Sequence, residues 1–118
     1  MSLQKRLASF RYAFQGIGYL FSSQVNARIH AVATVLVVTA GIVCHISTME
    51  WLAIIICVVL VIALEAVNTA IETLTDLVSP GNHPLAGKAK DVAAASVLLA
   101  AIGSVVVGVV IFGPRLLS

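Results

Sequence analysis

"WLAIIICVVLVIALEAVNTAIETLTDL", residues 51–77, decides the fold. No charge occurs from Trp51 to Leu64, and then Glu65, Glu72 and Asp76 follow within twelve positions, three of the five acidic residues in the chain. So long an apolar run suits a helix crossing a ~30 Å hydrocarbon layer, which needs about 20 such residues. At about 100° per residue, Glu65, Asn68, Glu72 and Asp76 fall at about 0°, −60°, −20° and +20°, one narrow polar stripe roughly three turns long.

The rest of the chain has the same character. It holds 118 residues, 60% hydrophobic and 10% charged, with a mean hydropathy of +1.09. A chain this short cannot hide that much apolar surface in a water-facing fold, so its solvent is the bilayer. The formal charge of +2 comes without a basic patch interleaved with aromatics, which argues against nucleic acid as a partner. Cys44 and Cys57 lie in or beside apolar runs and read as packing residues. Lys5, Arg6 and Arg11 are not followed by the compact apolar run of a signal peptide, so none is expected.

The fold expected is an all-α membrane protein, one domain over 1–118. An amphipathic surface helix covers 3–22, where Leu3, Leu7, Phe10, Phe14, Ile17 and Phe21 recur at helical spacing with Lys5, Arg6 and Arg11 off that face. Three transmembrane helices follow, at about 29–46, 49–78 and 91–112. "SPGNHPLAG" (79–87) has two prolines and two glycines and reads as a loop. Ala93, Ala94, Ala95, Gly103 and Gly108 would let helices approach closely, and Trp51 would anchor the outer interface. Lysine and arginine cluster before the first span and around Lys88 and Lys90. The amino terminus and the 79–90 loop are therefore expected on the cytoplasmic side of the membrane, with the carboxyl terminus outside. His30, His45 and His83 are spread over both sides and make no joint metal site.

Depth gives the stripe its chemistry. Glu65 lies ~15 residues, or roughly 22 Å, along a helix that starts near the outer surface. It therefore falls near the cytoplasmic headgroup boundary, with Glu72 and Asp76 at or beyond it. A carboxylate in mid-membrane costs roughly 2.5–3.5 kcal/mol on insertion scales, so Glu65 is expected to be functional or at least paired. "KAKD" brings Lys90 and Asp91 to the same boundary. Such an arrangement suits a reaction between a lipid hydroxyl and a water-soluble phosphate donor. Glu65 would take the hydroxyl proton, outer carboxylates would hold Mg²⁺, and a lysine would neutralise the transferring group. The usual nucleotide signatures are absent. "GNHPLAGKA" (81–89) has five residues between its glycines and Ala89 where a phosphate-binding loop has Ser or Thr.

"EAVNTAIETLTD" (65–76) and "AKD" (89–91), with "NARIHA" (26–31) and "FRYAFQGIGYLF" (10–21), resemble the bacterial integral-membrane diacylglycerol kinase/undecaprenol kinase family and its E-x-x-N-[ST]-A-I-E-x-x-x-D signature. The resemblance covers essentially the whole chain. It implies a homotrimer with shared active sites that uses Mg²⁺ and ATP to phosphorylate a lipid alcohol. Carried over by position, Glu65 is the base, Glu72 a metal ligand, and Asn68 and Asp76 support the site. Lys90, Asp91 and the Gly81-Asn82-His83 turn surround the nucleotide, with Lys5 and Tyr12 of the surface helix near it. Asn26, Arg28 and His30 border the lipid entrance, and "NARIH" leans toward the undecaprenol branch. Gln24 stands where the family commonly has a second metal-binding glutamate, leaving a weak, uncharged ligand there. Two other readings of the stripe are an oligomeric ion-coupled transporter built on Glu65, and a scaffold or impaired relative that has lost activity through Gln24.

Overall fold

In a computed structural model, which describes residues 2–118, the chain is all-helical: α1 (Leu3–Ser23), α2 (Val25–Val43), α3 (Thr48–Val78) and α4 (Pro84–Leu117). Helices α2, α3 and α4 are each long and apolar enough to cross a membrane.

Local chemistry sets each boundary. Ser22 and Ser23 bond back to the Tyr19 carbonyl at 3.1 and 2.6 Å, competing with the helical ladder where α1 ends. Gln24 alone, in an extended conformation, separates α1 from α2. Helix α2 thus starts at Val25, ahead of the expected position 29, and stops at Val43 instead of 46. Its end is a left-handed cap. His45 has φ 51°; its N–H donates to the Ile42 carbonyl at 3.3 Å, and that of Ile46 to Gly41 at 3.2 Å. These are the two bonds of a Schellman motif, with histidine where glycine is commoner. Ser47 then opens α3 through a capping box. Its hydroxyl accepts from the Glu50 N–H at 3.2 Å, and its own N–H donates to Glu50 Oε1 at 2.9 Å.

The 79–87 loop reading is corrected at its second half, because only 79–83 is non-helical. Pro84 occupies the first turn of α4, where its missing N–H is harmless, and His83 caps it with Nδ1 accepting from the Leu85 N–H at 3.1 Å. The far end of α4 also runs past 112, through Pro114, to Leu117.

Helices α3 and α4 form the main pair, tied at both ends. Arg115 donates to Glu50 Oε1 and Oε2 at 2.8 and 2.9 Å, a bidentate clasp, and Lys90 bonds Asp76 at the opposite end. Ile46, Ile54 and Ile111 form a buried cluster near the clasp, with Trp51 and Cys44 packed on it. Trp51 packs over Gly41. Between the ends, Val61, Ala93, Val97 and Ala100 fill the interface. Gly103 and Gly108 do not serve close approach within the chain, since a Cβ at either would meet nothing within 4 Å.

Helix α1 lies against the Glu72 end of α3. Leu20 is its buried contact, while Leu3, Leu7, Phe10 and Phe14 remain exposed.

Candidate active site

The polar stripe of α3 runs from the buried interior outward. Glu65 is only 1% exposed, and Asn68 and Thr69 are nearly as enclosed. Thr69 needs no partner outside its helix: its hydroxyl donates to the Glu65 carbonyl at 2.9 Å. The other two are incompletely satisfied. Glu65 Oε1 and Asn68 Oδ1 are buried without a hydrogen-bond partner, and an unpaired buried polar atom costs ~1–3 kcal/mol. Glu65 Oε2 lies 3.8 Å from Nε2 of His30 on α2. Asn68 Nδ2 donates to Glu72 Oε1 at 3.2 Å, linking consecutive turns of the stripe.

A cavity of ≈ 270 Å³ opens beside these groups, lined by Asn26 and His30 from α2, Glu65 and Asn68 from α3, and Ala94 and Leu98 from α4. Deeper along the bundle lies an almost wholly apolar hollow of ≈ 250 Å³ bordered by Ile54, Cys57, Val61 and Gly108. His30 and Ala101 line both spaces, so the mixed chamber that holds the Glu65 carboxylate adjoins the greasy one. Toward the other end of α3, Asp76, Gly81, Asn82, His83 and Lys90 surround a third hollow of ≈ 550 Å³ with a mixed lining.

One chain thus gathers two groups of the residues singled out above: Asn26, His30, Glu65, Asn68 and Glu72, and then Asp76, Gly81, Asn82, His83 and Lys90. Others stand apart. Asp91 and Arg28 are exposed. Lys5 and Tyr12 are exposed on α1, where the Arg11 guanidinium stacks over the Tyr12 ring at 5.2 Å. Gln24 is half-buried at the α1–α2 junction, and its side chain makes no cap bond. The α4 wall of the chamber was not anticipated. Ala94, Leu98 and Ala101 share one helical face, at i, i+4 and i+7, within a run whose uniform apolarity masks its faces.

Among the described residues no three of His, Cys, Asp and Glu converge on a metal cage. Mg²⁺ does not require one: it is usually held by one or two carboxylates plus substrate phosphates and waters. The Glu72 carboxylate, held by the Asn68 Nδ2 at 3.2 Å, offers oxygen ligands of that kind.

Residues 11–112 match the family described as prokaryotic diacylglycerol kinase. Among individual proteins, the chain is 45% identical over 113 residues to the diacylglycerol kinase of Synechocystis sp., covering 95% of this chain and 65% of that protein. It is 37% identical over 114 residues to the undecaprenol kinase of Bacillus subtilis, covering 97% and 93% of the two chains. To the diacylglycerol kinase of Escherichia coli K12 it is 30% identical over 95 residues, or 80% and 78%.

Proposed function

Because the chain belongs to the prokaryotic diacylglycerol kinase family, we propose that it is a lipid kinase that moves the γ-phosphoryl group of ATP to the hydroxyl of a membrane lipid alcohol, diacylglycerol or undecaprenol. The observation that carries this reading is the buried Glu65 carboxylate, lining a cavity of mixed polar and apolar character that adjoins an almost wholly apolar hollow. A lipid alcohol has that division, one hydroxyl on a hydrocarbon body.

In the reaction, the lipid hydroxyl oxygen bonds to the γ-phosphorus as the bond from that phosphorus to the ADP oxygen breaks. The hydroxyl proton passes to Glu65. Positioning and charge stabilisation do most of the work in such transfers, because the transition state is loose. Lys90, on the rim of the Asp76–His83 hollow, neutralises charge on the donor, while Asp76, Asp91 and the Gly81-Asn82-His83 turn bind around the nucleotide. Glu72, seconded by Asn68 and more weakly by Gln24, is the place for Mg²⁺. The ion, when bound, screens the phosphate oxygens. Asn26, Arg28 and His30 border the lipid entrance.

The setting is the bacterial inner membrane, with the amino terminus and the 79–90 loop on the cytoplasmic side, where ATP is available. Helix α1 lies in the membrane interface with its exposed Leu3, Leu7, Phe10 and Phe14 in lipid. Assembly is as a homotrimer. Lys5 and Tyr12, exposed on α1, then reach the nucleotide of a neighbouring copy. Ion transport through Glu65 has less support, since it leaves the Asp76–Lys90 hollow without a purpose.

The test is phosphate transfer from labelled ATP by purified protein in mixed micelles with Mg²⁺, offering diacylglycerol and undecaprenol in parallel. Label in one lipid supports the kinase and selects its branch. No label in either, from folded protein, removes this reading.

A further inference from the structure

Glu65 has two oxygens in different surroundings, and the difference assigns a task to a residue on another helix. Oε1 has no partner, whereas Oε2 faces His30 Nε2 at 3.8 Å. The carboxylate side chain is 2% exposed and the imidazole 22%. The other polar neighbours are otherwise engaged or turned away. Asn68 gives its Nδ2 to Glu72, Asn26 is mostly in the open, and Ala94, Leu98 and Ala101 of α4 offer no side-chain donor. A general base must present one oxygen to the substrate in a fixed direction. A buried carboxylate free to turn about its last torsion does not.

We infer that His30 is the positioning residue for Glu65: its Nε2–H holds Oε2 and so fixes the direction in which the carboxylate meets the substrate, Oε1 being walled in. At 3.8 Å the pair is longer than a hydrogen bond. Catalytic hydrogen bonds are often this loose before substrate binds and tighten in the complex. The inference rests on the kinase reading above and adds to it. His30 acts through Glu65 as well as bordering the lipid.

The test compares His30→Leu, His30→Asn and His30→Gln in the labelled-ATP assay, after each is shown to melt as a folded protein. Glutamine carries an N–H near the position of Nε2; asparagine places one near Nδ1. His30→Leu is expected to lower kcat about 10- to 100-fold with KM for lipid and ATP within about threefold. His30→Gln should recover most of the loss and His30→Asn little. A change confined to the lipid KM, or a glutamine variant no better than leucine, overturns the inference while leaving the kinase intact. A second readout needs no turnover: the ¹⁵N signal of the His30 ring in protein with Glu65 and with Glu65→Gln. It is expected to move. An unmoved signal overturns the contact whether or not the protein transfers phosphate, whereas absence of transfer by the wild type condemns the kinase reading instead.

Discussion

Glu65→Met should make the protein more stable and leave it inactive. Methionine nearly matches glutamate in length, fits a site only 1% exposed, and removes the unpartnered Oε1. Relief of one buried, unsatisfied acceptor is worth ~1–3 kcal/mol. Against it stands the loss of the His30 contact, which at 3.8 Å is no stronger than the ~0–1 kcal/mol of a loose ion pair. The Thr69 hydroxyl bond to the Glu65 backbone carbonyl survives. The net gain is about 1–2 kcal/mol, roughly a 5- to 30-fold rise in the folded-to-unfolded ratio. Unfolding in mixed micelles with increasing sodium dodecyl sulfate, followed by circular dichroism, measures it, and the labelled-ATP assay runs on the same samples. A loss of more than about 1 kcal/mol would refute the reasoning, because it would make the carboxylate a satisfied structural group.

Lys90→Ala should raise the KM for ATP about tenfold, discounted for the lysine's exposure, and leave the lipid KM unchanged in steady-state kinetics. Gln24→Glu should lower the Mg²⁺ concentration for half-maximal transfer several-fold, because it adds a charged ligand; an unchanged titration takes Gln24 out of the metal site. Gly41→Ala places a Cβ 2.6 Å from Trp51 Cη2 and 3.1 Å from Ile46 Cδ1. An overpacking cost of ~1–3 kcal/mol then outweighs the ~1 kcal/mol that alanine adds to a helix. Combined with Trp51→Leu the same change should become stabilising in the micelle unfolding assay, a coupling that additive effects would disprove.

The stripe on α3 was legible because three carboxylates and Asn68 recur at helical spacing directly after an uncharged apolar run, a pattern that survives without tertiary information. The helix ends were less so. Pro84 punctuates a polar stretch, "HPLAGKAKD", with no hydrophobic period to show on which side of it the helix begins. Read as a breaker it ends a loop; in the structure it starts α4 because His83 caps it. "STME" (47–50) does carry a capping-box signature that could have fixed the start of α3. Its glutamate belongs also to the Arg115 clasp, 65 positions away and invisible to any local pattern. The same limit hid the Glu65–His30 contact, for only packing of α2 on α3 sets which oxygen the imidazole faces. Gly103 and Gly108 resemble a close-approach motif, yet no helix of the same chain packs on them.

The central claim is that Glu65 takes the proton of the lipid hydroxyl and does not hold the nucleotide. It is tested most directly by measuring Mg²⁺-ATP affinity and the single-turnover transfer rate for the wild type and Glu65→Gln in the same micelles. The account predicts affinities within about threefold and a transfer rate lower by ~10²–10⁴. Transfer preserved within tenfold, or nucleotide binding lost together with transfer, would contradict it.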